Sequence, residues 1–340
     1  YFRKSERFEG GRDEFRGADG PQWVSFQRHD NPTADKFVEA AVASGIPFAD
    51  DYNGAEMEGV SYVQVSQKNG QRFNTARAYL DPVRNRKNLE IRTGCRVKKI
   101  LFEGTRAIGV QYQVEGADFS AKCSGEIVIS AGAIGSPHIL MHSGIGAPDV
   151  LAEFGISVVA SSTNVGRNLQ EHPAAYLGAH SKHPSFNDAV VNPMTAMLAG
   201  VNYVFRRRGP ISASTGSAQA FVRTRQGLDR PNVQIIFTPA SWSEDPETGK
   251  PIFIKERSLI AGVLLLRPES RGRVKLVSPD PLVMPEIDYE LVGTDAEVEQ
   301  LVEGLKTTQN ILSQQPLSVS ATDYMFPDRP LNSDEEWADY

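Results

Sequence analysis

Cysteine is nearly missing from the 340 residues. Cys95 and Cys123 are the only two, and a single pair cannot supply the multi-disulfide framework of a small secreted scaffold. No Asn-x-Ser/Thr acceptor with a permitted middle residue occurs either, so a reducing cytoplasm, or the periphery of a membrane facing it, is the expected location. Positive charge is also in short supply. The formal net charge is −6, and Lys and Arg are scattered among acids, which gives nucleic acid no basic footprint to bind. Arg206-Arg207-Arg208 is the one tight basic cluster and reads as a solvated helix end. The longest apolar run, Leu259 to Leu266, is interrupted by Gly262; it is far too short to cross a bilayer and reads as a buried strand. Neither G-x-S-x-G nor G-x-x-x-x-G-K-[ST] is present, so the commonest hydrolase and nucleotide-hydrolysis classes lose support. His138 and His142 stand at i, i+4, but without H-E-x-x-H or a carboxylate at ligand spacing no metal is assigned.

What the sequence does hold is concentrated in Glu126 to Gly146, EIVISAGAIGSPHILMHSGIG. Ile127, Val128 and Ile129 form a short β-branched run of the kind buried on both faces of a parallel sheet. Ser130-Ala131-Gly132 turns the chain, Ser136 is placed to cap a helix with Pro137 at its first position, and Gly144 lies beyond its end. A helix start facing the carboxyl end of a strand presents unpaired N–H groups and a positive dipole end, which suits a phosphate or an electron-rich ring.

Around that corner the patterns change along the chain. A helix is expected from Thr33 to Ser44, capped by Thr33 and ended by Gly45-Ile46-Pro47, and Asp50 to Gly59 reads as loop. Alternation through Leu89 and Ile91, Ile100 and Phe102, and Ile108 to Val114, turning at Glu103-Gly104, predicts an antiparallel meander. After Pro173 come short strand candidates at 221–223, 233–237, 259–266 and 273–277. Their long connections predict an antiparallel sheet with a substrate cavity on one face. Thr294 or Asp295 starts a helix with Val298, Leu301, Val302, Leu305 and Leu312 on one side, and Ser333 with Glu336 forms a capping box for another. At this length two domains are expected.

Gly132, Ala133, Ser136, Pro137, Ile139, Leu140, Ser143, Gly144, Ile145 and Gly146 resemble, in register, the second signature of the glucose-methanol-choline (GMC) flavin oxidoreductases. Tyr1 to Glu6, Gly70 to Pro82, Val165 to Pro173 and Arg267 to Arg273 look like further blocks of that family, closest in kind to its choline dehydrogenases. The resemblance implies an α/β FAD-binding domain, a Rossmann-like sheet with a β-meander that is incomplete here, over 1–172. It implies an α+β substrate domain and the start of the family's C-terminal region over 173–340. It implies FAD as cofactor, held by Val97, Ser130, Ala131, Gly132, Ser136 and Asn168, with His172 and Ala174 at the substrate cavity. The implied reaction is oxidation of an alcohol by hydride transfer to flavin, with a flavin-containing lyase or a non-catalytic relic as alternatives. The family's G-x-G-x-x-G fingerprint and catalytic His are expected before Tyr1 and beyond Tyr340, so the chain reads as truncated at both ends and inactive alone. None of the six histidines, at 29, 138, 142, 172, 180 and 183, carries the motif of that base. The electron acceptor stays open between oxygen, quinone and others, and a homodimer is compatible with the family. Ala174 offers no charge where choline-handling members tend to carry a glutamate, so uncharged primary alcohols are the expected substrates.

Overall fold

A computed structural model of the chain describes residues 1–29 and 31–340. In order along the chain its principal elements are β1 (Glu6–Phe8), β2 (Gln22–Val24), α1 (Pro32–Ala43), β3 (Gly59–Tyr62), β4 (Arg96–Glu103), β5 (Arg106–Val114), β6 (Ala117–Lys122), α2 (Gly132–His142), α3 (Pro148–Glu153) and β7 (Arg167–Leu169). There follow β8 (Ala174–His180), α4 (Phe186–Val191), α5 (Pro193–Arg206), β9 (Ala218–Val222), β10 (Val233–Thr238), β11 (Ser258–Leu265), β12 (Gly272–Lys275), β13 (Glu286–Asp288), α6 (Asp295–Ser313), β14 (Tyr324–Phe326) and α7 (Asp334–Asp339).

Two compact units emerge, and they do not follow a cut at 172/173. One gathers residues 1–86, 172–267 and 295–340; the other gathers 87–171 and 268–294. Strand pairing is the physical reason. β3, from the first eighty-six residues, hydrogen-bonds along β9, so the N-terminal stretch is built into the sheet formed by the later sequence.

The larger unit is organised by a six-stranded antiparallel sheet in the order β14-β8-β11-β10-β9-β3. α1 lies over β3, β9 and β10, and α6 over β8, β10 and β11. Their apolar stripes meet the sheet at residues that alternate along each strand: Leu177, Ala179, Val233, Ile235, Phe237, Ala261, Val263 and Leu265 are all buried. Phe37 of α1 stacks on Phe237 with ring centroids 4.4 Å apart, and Leu301, Leu305 and Leu312 of α6 are buried as the 3.6-residue spacing requires. Each such side chain removed from water contributes about 1.5–3 kcal/mol. Residues that point the other way, Tyr176, Gln234, Ile236 and Leu264, are only partly buried or exposed. One face of the sheet is therefore covered by helices; on the other, Ser61, Gln219, Phe221, Thr238 and Ile260 are buried and only the β8 end, at Ala174 and Tyr176, is exposed. α1 begins one residue earlier than expected, and its cap is Asn31 rather than Thr33: Asn31 Oδ1 accepts from the N–H of Thr33 at 2.9 Å and of Ala34 at 3.2 Å. Pro32 at the first helical position has no N–H to satisfy, which moves the start back. Arg16 is fully buried and pins the N-terminal segment. It donates to both carboxylate oxygens of Glu6 at 3.0 and 2.6 Å, to both of Asp51 at 2.8 and 2.7 Å, and to Gln64, with its guanidinium over the Phe8 ring at 3.6 Å.

In the smaller unit the meander β4-β5-β6 is present, turning at Glu103-Gly104 as predicted, whereas Leu89 and Ile91 lie in irregular chain before it. β12 pairs with β7 and β13, so the 273–277 segment belongs to this unit and not to the six-stranded sheet. α2 lies on β4, and Met141, Leu151, Val274 and Leu276 form the buried core, joined by Ile134, Phe154, Ile156, Val165 and Leu169. Ser143 ties helix to strand: its hydroxyl accepts from the Ile100 N–H at 2.8 Å and donates to the Ile139 carbonyl at 2.6 Å.

Candidate functional site

The corner around α2 differs in two respects from the sequence expectation. Residues 127–129 are not a paired strand; Val128 is 83% exposed. Among the described residues no strand runs beside them, and without a neighbouring ladder an apolar run has nothing to fix it as β. The helix also starts four residues before Ser136, at Gly132, leaving Pro137 inside it. Ser136 instead turns its hydroxyl back to accept from the Ala131 N–H at 3.1 Å. That bond holds Ala131 as the residue before the helix and leaves the succeeding N–H groups at the helix start without a side-chain cap. Gly144 ends the helix at φ +84°, as placed.

Gly132 sits at the turn into the helix. Its φ of +78° is a conformation side chains rarely adopt, and a Cβ built there would meet no protein atom within 4 Å. Ser130, Ala131 and Gly132 are exposed and Ser136 half-buried. Val97 stands on β4 opposite Tyr112, 38% exposed, and β4 is the strand against which α2 lies. Asn168 is exposed on β7 with φ +62°. All six lie in the smaller compact unit: Val97 on β4, Ser130 and Ala131 just before α2, Gly132 and Ser136 in α2, and Asn168 on β7.

On the same helix His138 and His142 meet edge to face, Nε2 to Nε2 at 3.0 Å. Burial, and then the neighbouring His138, push the His142 imidazole down to about 4, and burial lowers His138 as well. Both are therefore neutral near pH 7. Among the described residues no cluster of three or more His, Cys, Asp or Glu could hold a metal ion.

The other unit carries a cavity of ≈ 500 Å³ at the β8 end of its sheet, on the face away from α1 and α6. Ala174, Ala175 and Tyr176 of β8, Ile260 of β11, Trp242, Phe326 and Tyr340 line it. Gly178 makes room for it: a Cβ there would come within 1.9–2.4 Å of the Phe326 ring, so only glycine lets that ring lie against β8. Tyr340 closes one side by donating its hydroxyl to the Tyr176 carbonyl at 2.6 Å, and burial pushes that phenol up to about 12. No carboxylate is among the lining residues. Farther along the same sheet Gln234 donates to Gln219 at 2.8 Å, and the Tyr52 hydroxyl accepts from the Gln64 N–H at 3.0 Å.

Ala174 thus lines a cavity, whereas His172 stands exposed two residues before it and does not. Sequence reasoning missed the four aromatic rings. Tyr176 was within reach, because it shares a strand face with Ala174 at i, i+2; Trp242, Phe326 and Tyr340 arrive from distant segments and leave no local signal.

Comparison with known proteins bears on both units. Residues 10–174 and 268–340 match the N-terminal and C-terminal profiles of the family described as GMC oxidoreductase. A fatty acid photodecarboxylase of Chlamydomonas reinhardtii is 33% identical over 367 residues, covering 100% of this chain and 60% of that protein. The mitochondrial choline dehydrogenase of Mus musculus is 33% identical over 336 residues, covering 99% and 56%. A crystal structure of pyridoxine 4-oxidase from Mesorbium loti superposes with a TM-score of 0.80 at 26% identity, covering 99% of this chain and 62% of that one. The chain accordingly spans somewhat under two thirds of the length of these relatives.

Proposed function

We propose, from the premise that this chain belongs to the GMC oxidoreductase family, that the protein carrying it binds FAD and oxidises an alcohol to an aldehyde. The observation that carries the reading is the start of α2. Gly132 has positive φ, open space where a Cβ would be, and a run of helix N–H groups without a side-chain cap. Those donors suit the electron-rich groups of a flavin nucleotide. Gly132 and the residues after it supply N–H groups, Ser130 and Ala131 border them, and Ser136 fixes the turn by holding the Ala131 N–H. Val97 on β4 and Asn168 on β7 are the further residues that would hold the cofactor. FAD, when bound, supplies the hydride acceptor that no side chain can provide.

The cavity at the β8 end of the sheet receives the substrate in this reading. Its aromatic lining displaces water around the reacting carbon, and Ala174 leaves space instead of a charge. His172, at the entry to β8, orients the loop leading to the cavity. No proton acceptor is assigned within residues 1–340. A relative named choline dehydrogenase supports alcohol as the substrate class, but this cavity lacks the carboxylate a quaternary ammonium would favour. Each ring that faces a cation returns about 0.5–2 kcal/mol, so the four rings together offset much of the several kcal/mol of solvation a cation loses, and the preference rests on the missing carboxylate at Ala174. Uncharged primary alcohols remain the proposed substrates. Purification of the whole protein, extraction and identification of its flavin, and assay of aldehyde formation with an artificial electron acceptor test the reading. Absence of FAD, or aldehyde released from a cyanohydrin with no acceptor consumed, would replace it.

A further inference from the structure

Among the described residues, α5 is the one long helix that is not built into a core. None of its fourteen residues is buried, and its neighbours are α4 and the turn at Pro210–Ser212 instead of the sheet. Met194, Met197, Leu198, Val201, Val204 and Phe205 recur at helical spacing and all are exposed, Met194 by 68% and Phe205 by 82%. Val190 and Val191, before the helix, and Ile211, after it, are exposed as well. An apolar stripe of this size, about 21 Å long at 1.5 Å per residue, needs an apolar environment.

Charge identifies which one. Acids are frequent in the chain at large, yet residues 189–228 contain no Asp or Glu and five Arg. Arg223 pairs with Glu58 and Arg225 with Glu303. Arg206, Arg207 and Arg208, at the carboxyl end of the stripe, form no ion pair among the described residues; Arg207 lies over the Tyr203 ring at 4.8 Å. No helix among the described residues is long and apolar enough to cross a membrane. An amphipathic helix too short to span, with its apolar side exposed, a basic end and no acid between residues 189 and 228, has the chemistry of a segment that lies in the plane of an anionic bilayer surface.

We infer that α5 docks the protein on an anionic lipid surface, with Met194, Met197, Leu198, Val201, Val204 and Phe205 inserted among the acyl chains and Arg206–Arg208 at the headgroups. This inference is independent of the flavin reading, since it uses neither α2 nor the cavity. The test is flotation of the whole protein with vesicles of phosphatidylcholine alone and of phosphatidylcholine with phosphatidylglycerol. Binding is expected only to the anionic vesicles. Replacing Arg206, Arg207 and Arg208 together by Ala should weaken it about a hundredfold. Leu198→Ser with Phe205→Ser should weaken it at least tenfold, with flavin content and thermal midpoint unchanged. Equal binding to neutral and anionic vesicles, or no binding to either, would overturn the inference. So would a double variant that turns a dimer into a monomer while still floating, which would make α5 a contact between copies, or an arginine variant that floats as wild type.

Discussion

Replacing Gly132 by valine separates what the fold needs from what the ligand needs. A side chain at φ +78° costs about 1–2 kcal/mol in backbone strain, and no protein atom lies within 4 Å of the new Cβ to add a clash. Stability should therefore fall by that amount alone, a drop of roughly 2–8 °C in thermal midpoint. If backbone N–H groups at the helix start touch FAD, the two γ-carbons of valine occupy ligand space. Losing two hydrogen bonds to a charged group at about 1.5–3 kcal/mol each weakens binding a hundredfold or more. Gly132→Ala carries the strain without the γ-carbons and serves as the control. The assay is flavin per polypeptide after gel filtration of the whole protein, alongside a melting curve. A valine variant that folds and keeps as much flavin as the alanine variant would refute the close approach at Gly132. One that fails to fold would show that the space beside Gly132 is filled by protein.

Arg16→Met should destabilise the larger unit by about 3–5 kcal/mol, because Glu6 is left buried beside a neutral side chain; a denaturant midpoint close to wild type would contradict that role, and Arg16→Lys should restore only part of the loss. His142, held down to about 4 in the folded state against 6.5 in the free side chain, takes up a proton more readily when unfolded. Its contribution to stability is thus present above pH 6.5 and is lost as pH falls from there toward 4. His142→Asn should flatten that part of a stability-versus-pH curve, and an unchanged curve would mean that another group sets it. On matched alcohols, kcat/KM for the neutral compound should exceed that for the trimethylammonium analogue by tenfold or more; a preference for the cation would mean that the aromatic rings of the cavity bind it.

The elements with strong local signals were legible: the meander was predicted at Glu103-Gly104, where a turn separates two alternating runs, and α6 from its apolar stripe. The GMC-like signature over Gly132 to Gly146 could be read as residues but not as shape. Ser-Pro at 136–137 has the form of a helix start, and in the fold the hydroxyl of Ser136 bonds backward while the helix begins at Gly132. The strand at 127–129 was inferred from β-branching alone; pairing is a property of neighbours, and its own residues do not report whether any are present. The same reason explains why the compact units cross residues 172/173, although the match to the family's N-terminal region ends close by, at 174. β3 joins a sheet whose other strands lie more than a hundred residues later, and nothing local in Gly59–Tyr62 names that partner. The cavity was foreseen on one face of an antiparallel sheet, and Ala174 does line one, yet its rings are gathered across more than a hundred and sixty residues.

Anaerobic mixing of the whole, flavin-loaded protein with a neutral primary alcohol tests the account at its centre. Loss of the oxidised flavin's visible absorbance, with one aldehyde formed per flavin bleached, is the predicted result. Flavin that stays oxidised across neutral and cationic primary alcohols would contradict it.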